Sequence, residues 1–120
     1  MSDKVLSMKL SRVYPLLVAK AERKGRTKAE VDTIIRFMLG YDCAQIEAMV
    51  AEDVDYGTFF ERAVRKDDAY LSVTGSICGV RLDSIGDGTM RRMRVLDKLV
   101  DDLAKGRSLE RILSPFGYSV

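Results

Sequence analysis

Lys20, Arg23, Lys24, Arg26 and Lys28 crowd into residues 20–28, interrupted by Glu22. Cations this close can contact phosphates or another anionic ligand, and Arg23, Lys24, Arg26 and Lys28 are the candidate binding residues. The plainer reading is a solvated face whose cations compensate the negative end of a helix. A second cluster, Arg91, Arg92, Arg94 and Lys98, is open to the same two readings.

Acid–base chemistry would need carboxylates. The adjacent candidates are Asp53 with Asp55, Asp67 with Asp68, and Asp101 with Asp102. All fall in polar stretches, whereas a catalytic carboxylate needs partial burial to move its pKa. Asp97 lies beside the apolar position Leu96, and Arg36 is a candidate partner across helices. An enzyme built on carboxylate and guanidinium chemistry would therefore centre on Arg36, Arg81 and Asp97. Histidine is absent, which excludes imidazole-activated serine or cysteine nucleophiles and imidazole zinc sites. Cys43 and Cys78 are far apart and form no C-x-x-C pair, so both are expected as reduced, buried thiols. Gly75-Ser76-Ile77-Cys78-Gly79 matches no phosphate-binding fingerprint. No catalytic residue, metal or cofactor is expected.

The chain that must position these groups has 120 residues, the size of one domain with its own core. It is 47% hydrophobic and 32% charged, as soluble globular proteins are. A net charge of +2 is too balanced to imply nucleic acid or a membrane surface by itself. The opening MSDKVLSMKL lacks the apolar run of a signal peptide, and no stretch approaches the roughly 20 apolar residues of a membrane span. The expected compartment is the cytoplasm.

Thr27-Lys28-Ala29-Glu30 has the spacing of a capping box. Val31, Ile34, Ile35, Met38 and Leu39 then recur at helical spacing, and Gly40 follows where a left-handed residue ends a helix. A helix over 28–39 is predicted, with Phe37 off the stripe and suited to a second contact. Before it, Ser11 caps a helix ending near Lys24, with Pro15 near its first turn and Val13 and Leu16 widening its apolar stripe. After it, Asp42 and Gln45 start a helix edged by Cys43, Ile46, Met49 and Val50. Asp55 caps the next, which carries Tyr56, Phe59, Phe60, Ala63 and Val64. A long helix starts at Asp87 or Thr89 and ends at Gly106, and Ser108 caps a short one stopped by Pro115. Residues 1–10 are expected as a loose arm and 116–120 as a tail. Residues 71–85 read either as a short hairpin or as short helical turns.

The blocks VYPLLVAKAERKGRTKAEVDTIIRFMLGY, TGSICGVRLDSI and RVLDKLVDDLAKGRSLERIL occur in this order and cover most of the chain. Together they resemble the bacterial family catalogued as domain of unknown function 2200. The resemblance implies a small, mainly α-helical cytoplasmic domain, favours helical turns over 71–85, and implies no activity. The expectation is thus an all-α domain of five to seven helices, non-catalytic, acting through protein–protein contact. A homodimer is one form of that, with Met90 and Met93 as an adaptable surface. The alternatives are weak binding of nucleic acid or an anionic ligand through 20–28, and the enzyme just described. Sequence-specific DNA binding is disfavoured. In a helix-turn-helix over 28–51, the second helix would offer Gln45, Glu47 and Glu52 to the phosphates.

Overall fold

A computed structural model describes residues 3–65, 68–77, 79–86 and 88–118. Its α-helices are α1 (Asp3–Leu6), α2 (Leu10–Glu22), α3 (Lys28–Leu39), α4 (Cys43–Glu52), α5 (Tyr56–Glu61), α6 (Gly88–Ala104) and α7 (Leu109–Leu113). The fold is all-α apart from one two-stranded hairpin. No described helix is long and apolar enough to cross a membrane.

Helix α3 starts and stops where its sequence says. The Glu30 amide donates to Thr27 Oγ1 at 3.2 Å, and the Thr27 amide donates back to Glu30 Oε1 at 3.0 Å. The apolar stripe Val31, Ile34, Ile35, Met38 and Leu39 is buried between α2 and α6. Gly40 is left-handed, at φ 84°. Helix α4 opens on a second capping box, Asp42 with Gln45. Phe37 makes its second contact with Tyr118, edge-on at 5.0 Å between centroids. The longest helix, α6, buries Met93, Leu96, Val100 and Leu103 along one side, and Ser108 caps α7. On α5, the rings of Tyr56, Phe59 and Phe60 pack on one another, and Phe59 also stacks on Tyr41. The expected cap at Asp87 lies outside the described residues.

Several expectations are overturned by contacts between distant parts of the chain. Residues 3–10 are no loose arm. The Leu10 amide donates to Val54 O, the Tyr56 amide donates to Met8 O, and Leu10 is fully buried. That backbone pairing starts α2 at Leu10, so Ser11 is no cap; its hydroxyl bonds Asp53. Pro15 consequently sits inside the helix rather than in its first turn. The described part of the tail is not free either, because Phe116 is buried. Leu16 and Val64 point outward, since α2 packs on its opposite side and α5 stops at Glu61.

The segment 71–85 divides between its two readings. Ser76–Ile77 pairs antiparallel with Val80–Arg81, and 3₁₀ turns flank the hairpin at Asp68–Ser72 and Leu82–Ser84. Gly79, at φ 79°, allows so tight a reversal. Ile77 and Leu82 turn inward while Val80 stays half exposed.

A Cβ placed on Gly40 would lie 2.9 Å from Val64 Cβ and 3.0 Å from the Arg65 amide nitrogen. The left-handed backbone adds roughly 1–2 kcal/mol for any β-branched residue, and forced overpacking adds a comparable amount. Gly40→Val should therefore lower stability by about 3 kcal/mol in urea unfolding, and a midpoint matching the parent would disprove this account of Gly40.

Candidate functional site

Helices α2 and α6 pack together so that their C-terminal turns lie side by side. Between these turns runs an open groove of about 960 Å³, lined by Lys20, Arg23, Lys24, Asp101, Ala104 and Lys105. Four cations thus surround one carboxylate. Asp101 is anchored from both sides, by Lys20 Nζ at 3.3 Å and Lys105 Nζ at 2.9 Å. Burial pushes the Asp101 pKa up, and the hydrogen bonds from Lys105 and Lys20 outweigh it, holding the carboxyl below its ordinary range. Arg23 Nε donates to the Ala19 carbonyl of its own helix, and Lys24 has no charged partner among the described residues.

The expected binding residues divide here. Arg23 and Lys24 line the groove, whereas Arg26 and Lys28 are held by internal partners. Arg26 Nη2 pairs with Glu30 at 2.6 Å, and its Nη1 donates to Leu103 O at 3.2 Å and Arg107 O at 2.9 Å. It thereby adds a second donor to the Leu103 carbonyl in the last turn of α6, which also accepts from the Gly106 amide, and latches the α2–α3 loop beside the groove. Lys28 pairs with Asp32 at 2.9 Å and lies over the Tyr14 ring. Lys20 and Lys105 complete the groove. Lys20 was visible in the basic run, but Lys105 comes from a helix end 85 positions on, and only packing brings it there.

Asp32 is a buried polar centre that periodicity does not single out. Tyr14 Oη, Lys28 Nζ and Cys43 Sγ all bond its carboxylate, the thiol at 3.1 Å. A cue was present in Lys28, four residues before it on the same helix. Burial acts to raise the Asp32 pKa, and the bonds from Tyr14, Cys43 and Lys28 together lower it below the ordinary value. In return burial, with Asp32 behind it, pushes Tyr14 up to about 12. Cys43 is exposed rather than buried, because it stands at the first turn of α4, outside the Ile46–Met49 face. The neighbouring carboxylate raises its thiol pKa, the opposite of what an activated nucleophile needs. Cys78 lies outside the described residues.

Arg36, Arg81 and Asp97 do not converge. Arg36 borders a shallow recess with Asp32, Asp42 and Cys43, and Arg81 pairs with Asp83 on the exposed hairpin. Asp97 is raised in pKa first by burial, against the opposing charges of Arg94 and Lys20; neither Arg36 nor Arg81 acts on it. The buried Tyr56 hydroxyl, itself pushed up by burial and by the Asp97 charge, has no hydrogen-bond partner among the described residues. The second basic cluster is drawn inward: Arg92 lies over Tyr70, Arg94 approaches Asp97, and Lys98 pairs with Asp102. Met93 is fully buried and offers no surface, whereas Met90 packs against the core while staying partly exposed. Gln45, Glu47 and Glu52 are exposed on α4, leaving its outer face acidic. Among the described residues, no three His, Cys, Asp or Glu side chains gather as metal ligands.

Residues 4–114 match a family described as "Uncharacterized protein conserved in bacteria (DUF2200)". The chain belongs to this family. The fold of this DUF2200 chain is also that of a solved structure, "Crystal structure of uncharacterized protein SP1917". The two are 39% identical, with a TM-score of 0.90 over 100% of this chain and 98% of that one. No curated protein matches the chain.

Two consequences can be measured. Asp32→Asn should lower the Cys43 thiol pKa, so iodoacetamide should label the Cys43 peptide several-fold faster at pH 8; an unchanged rate by mass spectrometry would contradict the link. A carboxyl raised by the fold weakens the fold once ionised, with the loss growing as pH rises from about 4, the unfolded value. Asp97→Asn should therefore raise Tm at pH 7, by an amount that shrinks toward pH 3. A gain independent of pH would refute the burial of this charge.

Proposed function

We propose that this chain is a non-catalytic cytoplasmic domain that works by protein–protein contact, taking an acidic segment of a partner protein in the groove between α2 and α6. The observation that carries this reading is the set of four cations around one carboxylate. An extended acidic segment can satisfy them, and the lysine stems and Ala104 offer apolar surface to the segment's methylenes. The unpaired, exposed Cys43 thiol suits a reducing compartment.

Two features favour a binding domain over an enzyme. The exposed thiol is pushed up rather than down, and the raised carboxyl of Asp97 is opposed by Arg94 and Lys20, with neither Arg36 nor Arg81 beside it. Against nucleic acid stand the acidic outer face of α4 and the pairing of Arg26, Lys28, Arg94 and Lys98 with carboxylates of the chain itself.

Fluorescence anisotropy with a labelled glutamate-rich peptide at low ionic strength tests the reading. Binding should weaken as salt rises. The double variant Arg23→Glu, Lys24→Glu should lose roughly tenfold in affinity, about 1.4 kcal/mol. Peptide binding that ignores both salt and the double variant, or tighter binding of a single-stranded oligonucleotide at the same salt, would reject it.

A further inference from the structure

The groove that attracts anions also contains one. Asp101 is mostly buried, and each of its carboxylate oxygens faces a different lysine: Oδ1 faces Lys20 from α2, and Oδ2 faces Lys105 from the end of α6. Half of the groove's cations are therefore already engaged by the protein's own carboxylate. The other two, Arg23 and Lys24, sit on the α2 side with no acidic partner among the described residues. An incoming anion meets Arg23 and Lys24 freely. To reach Lys20 or Lys105 it must lie against Asp101.

That arrangement treats two kinds of polyanion differently. A nucleic-acid backbone carries a charge on every unit, one per roughly 3.4 Å along each stacked strand, so some phosphate must lie opposite Asp101. A peptide advances about 3.3–3.6 Å per residue when extended and can present an uncharged residue there while its acidic neighbours reach the cations. We infer that Asp101 is the selectivity residue of the groove, its carboxylate occupying Lys20 and Lys105 and holding off continuously charged polymers while admitting acidic peptides. This rests on the groove being the binding site proposed above.

Asp97, one turn earlier on α6, is a second carboxylate near Lys20, but its partners Arg94 and Tyr56 lie on the core side and it does not line the groove. Asp102 faces Lys98 and Arg107 and is likewise not part of the lining.

The test compares wild type with Asp101→Asn, using anisotropy with a glutamate–glycine alternating peptide and a single-stranded oligothymidylate. Asp101→Ala, which preserves helix propensity, is the second variant, and circular dichroism confirms that both fold. Oligothymidylate affinity should rise roughly tenfold in both variants and peptide affinity by no more than about threefold. Freeing two lysines should steepen the salt dependence of oligothymidylate binding by about 1.4 in log–log slope. Equal gains for both ligands, or no gain for oligothymidylate, overturn the assignment. Wild-type protein that binds the peptide, with variants that gain nothing, removes the role of Asp101 and leaves the peptide reading. Wild-type protein that ignores the peptide, with variants that take up oligothymidylate, does the reverse. Absence of all binding removes both.

Discussion

Everything in this fold is arranged around the burial of α3 between α2 and α6. Val31, Ile34 and Ile35 are wholly removed from water, and each such side chain contributes about 2 kcal/mol when fully buried. Burying this face requires neighbours on both sides. Leu10, Val13, Tyr14 and Leu17 supply one and the inner side of α6 supplies the other. With those three helices in contact, the short α7 and the hairpin have only the remaining edges of the core to cover.

The polar contacts of this three-helix unit hold its parts in register. Asp32 lies on the α3 flank that faces α2 and the start of α4. A buried carboxylate there is tolerated because Tyr14, Lys28 and Cys43 all bond it. At the other end Arg26 joins the α2–α3 loop to the Leu103 carbonyl of α6 and to the Arg107 carbonyl just beyond it. Asp32 ties α2 to α3 and α4, and Arg26 ties α3 to α6. The basic groove is a by-product of this geometry. Latching the loop onto α6 lays two helix ends together, and both carry cations that offset the exposed carbonyls of a helix C-terminus.

The groove is therefore a structural feature as well as the binding surface proposed above. Its cations serve the helix ends whether or not a ligand is present. The proposal rests on the contrast between Asp101, which engages Lys20 and Lys105, and the α2 side, where Arg23 and Lys24 face no acid among the described residues. Elsewhere the described cations are mostly committed: Lys98 to Asp102, Arg26 to Glu30, Lys28 to Asp32.

The sequence by itself determined many of the features that depend on neighbours within about four residues. The capping boxes at Thr27 and Asp42, the stripe from Val31 to Leu39, the left-handed Gly40 and the inner face of α6 were all legible. So was the family, through blocks that together span most of the chain. Of the site, Arg23 and Lys24 could be read because they lie together in a basic run. The tertiary structure alone decided the rest. It moved the start of α2 to Leu10 through a pairing with residues 54–56, buried Phe116, turned Leu16 outward and separated Arg36 from Asp97. It also turned Asp32 from a flanking residue into a buried hub, laid Arg26 against the carbonyls of Leu103 and Arg107, and brought Lys105 to Lys20. The reason is physical. Periodicity reports which face of a helix is apolar, but the partner it meets, and hence the company its charged residues keep, is set by contacts between segments far apart in the chain.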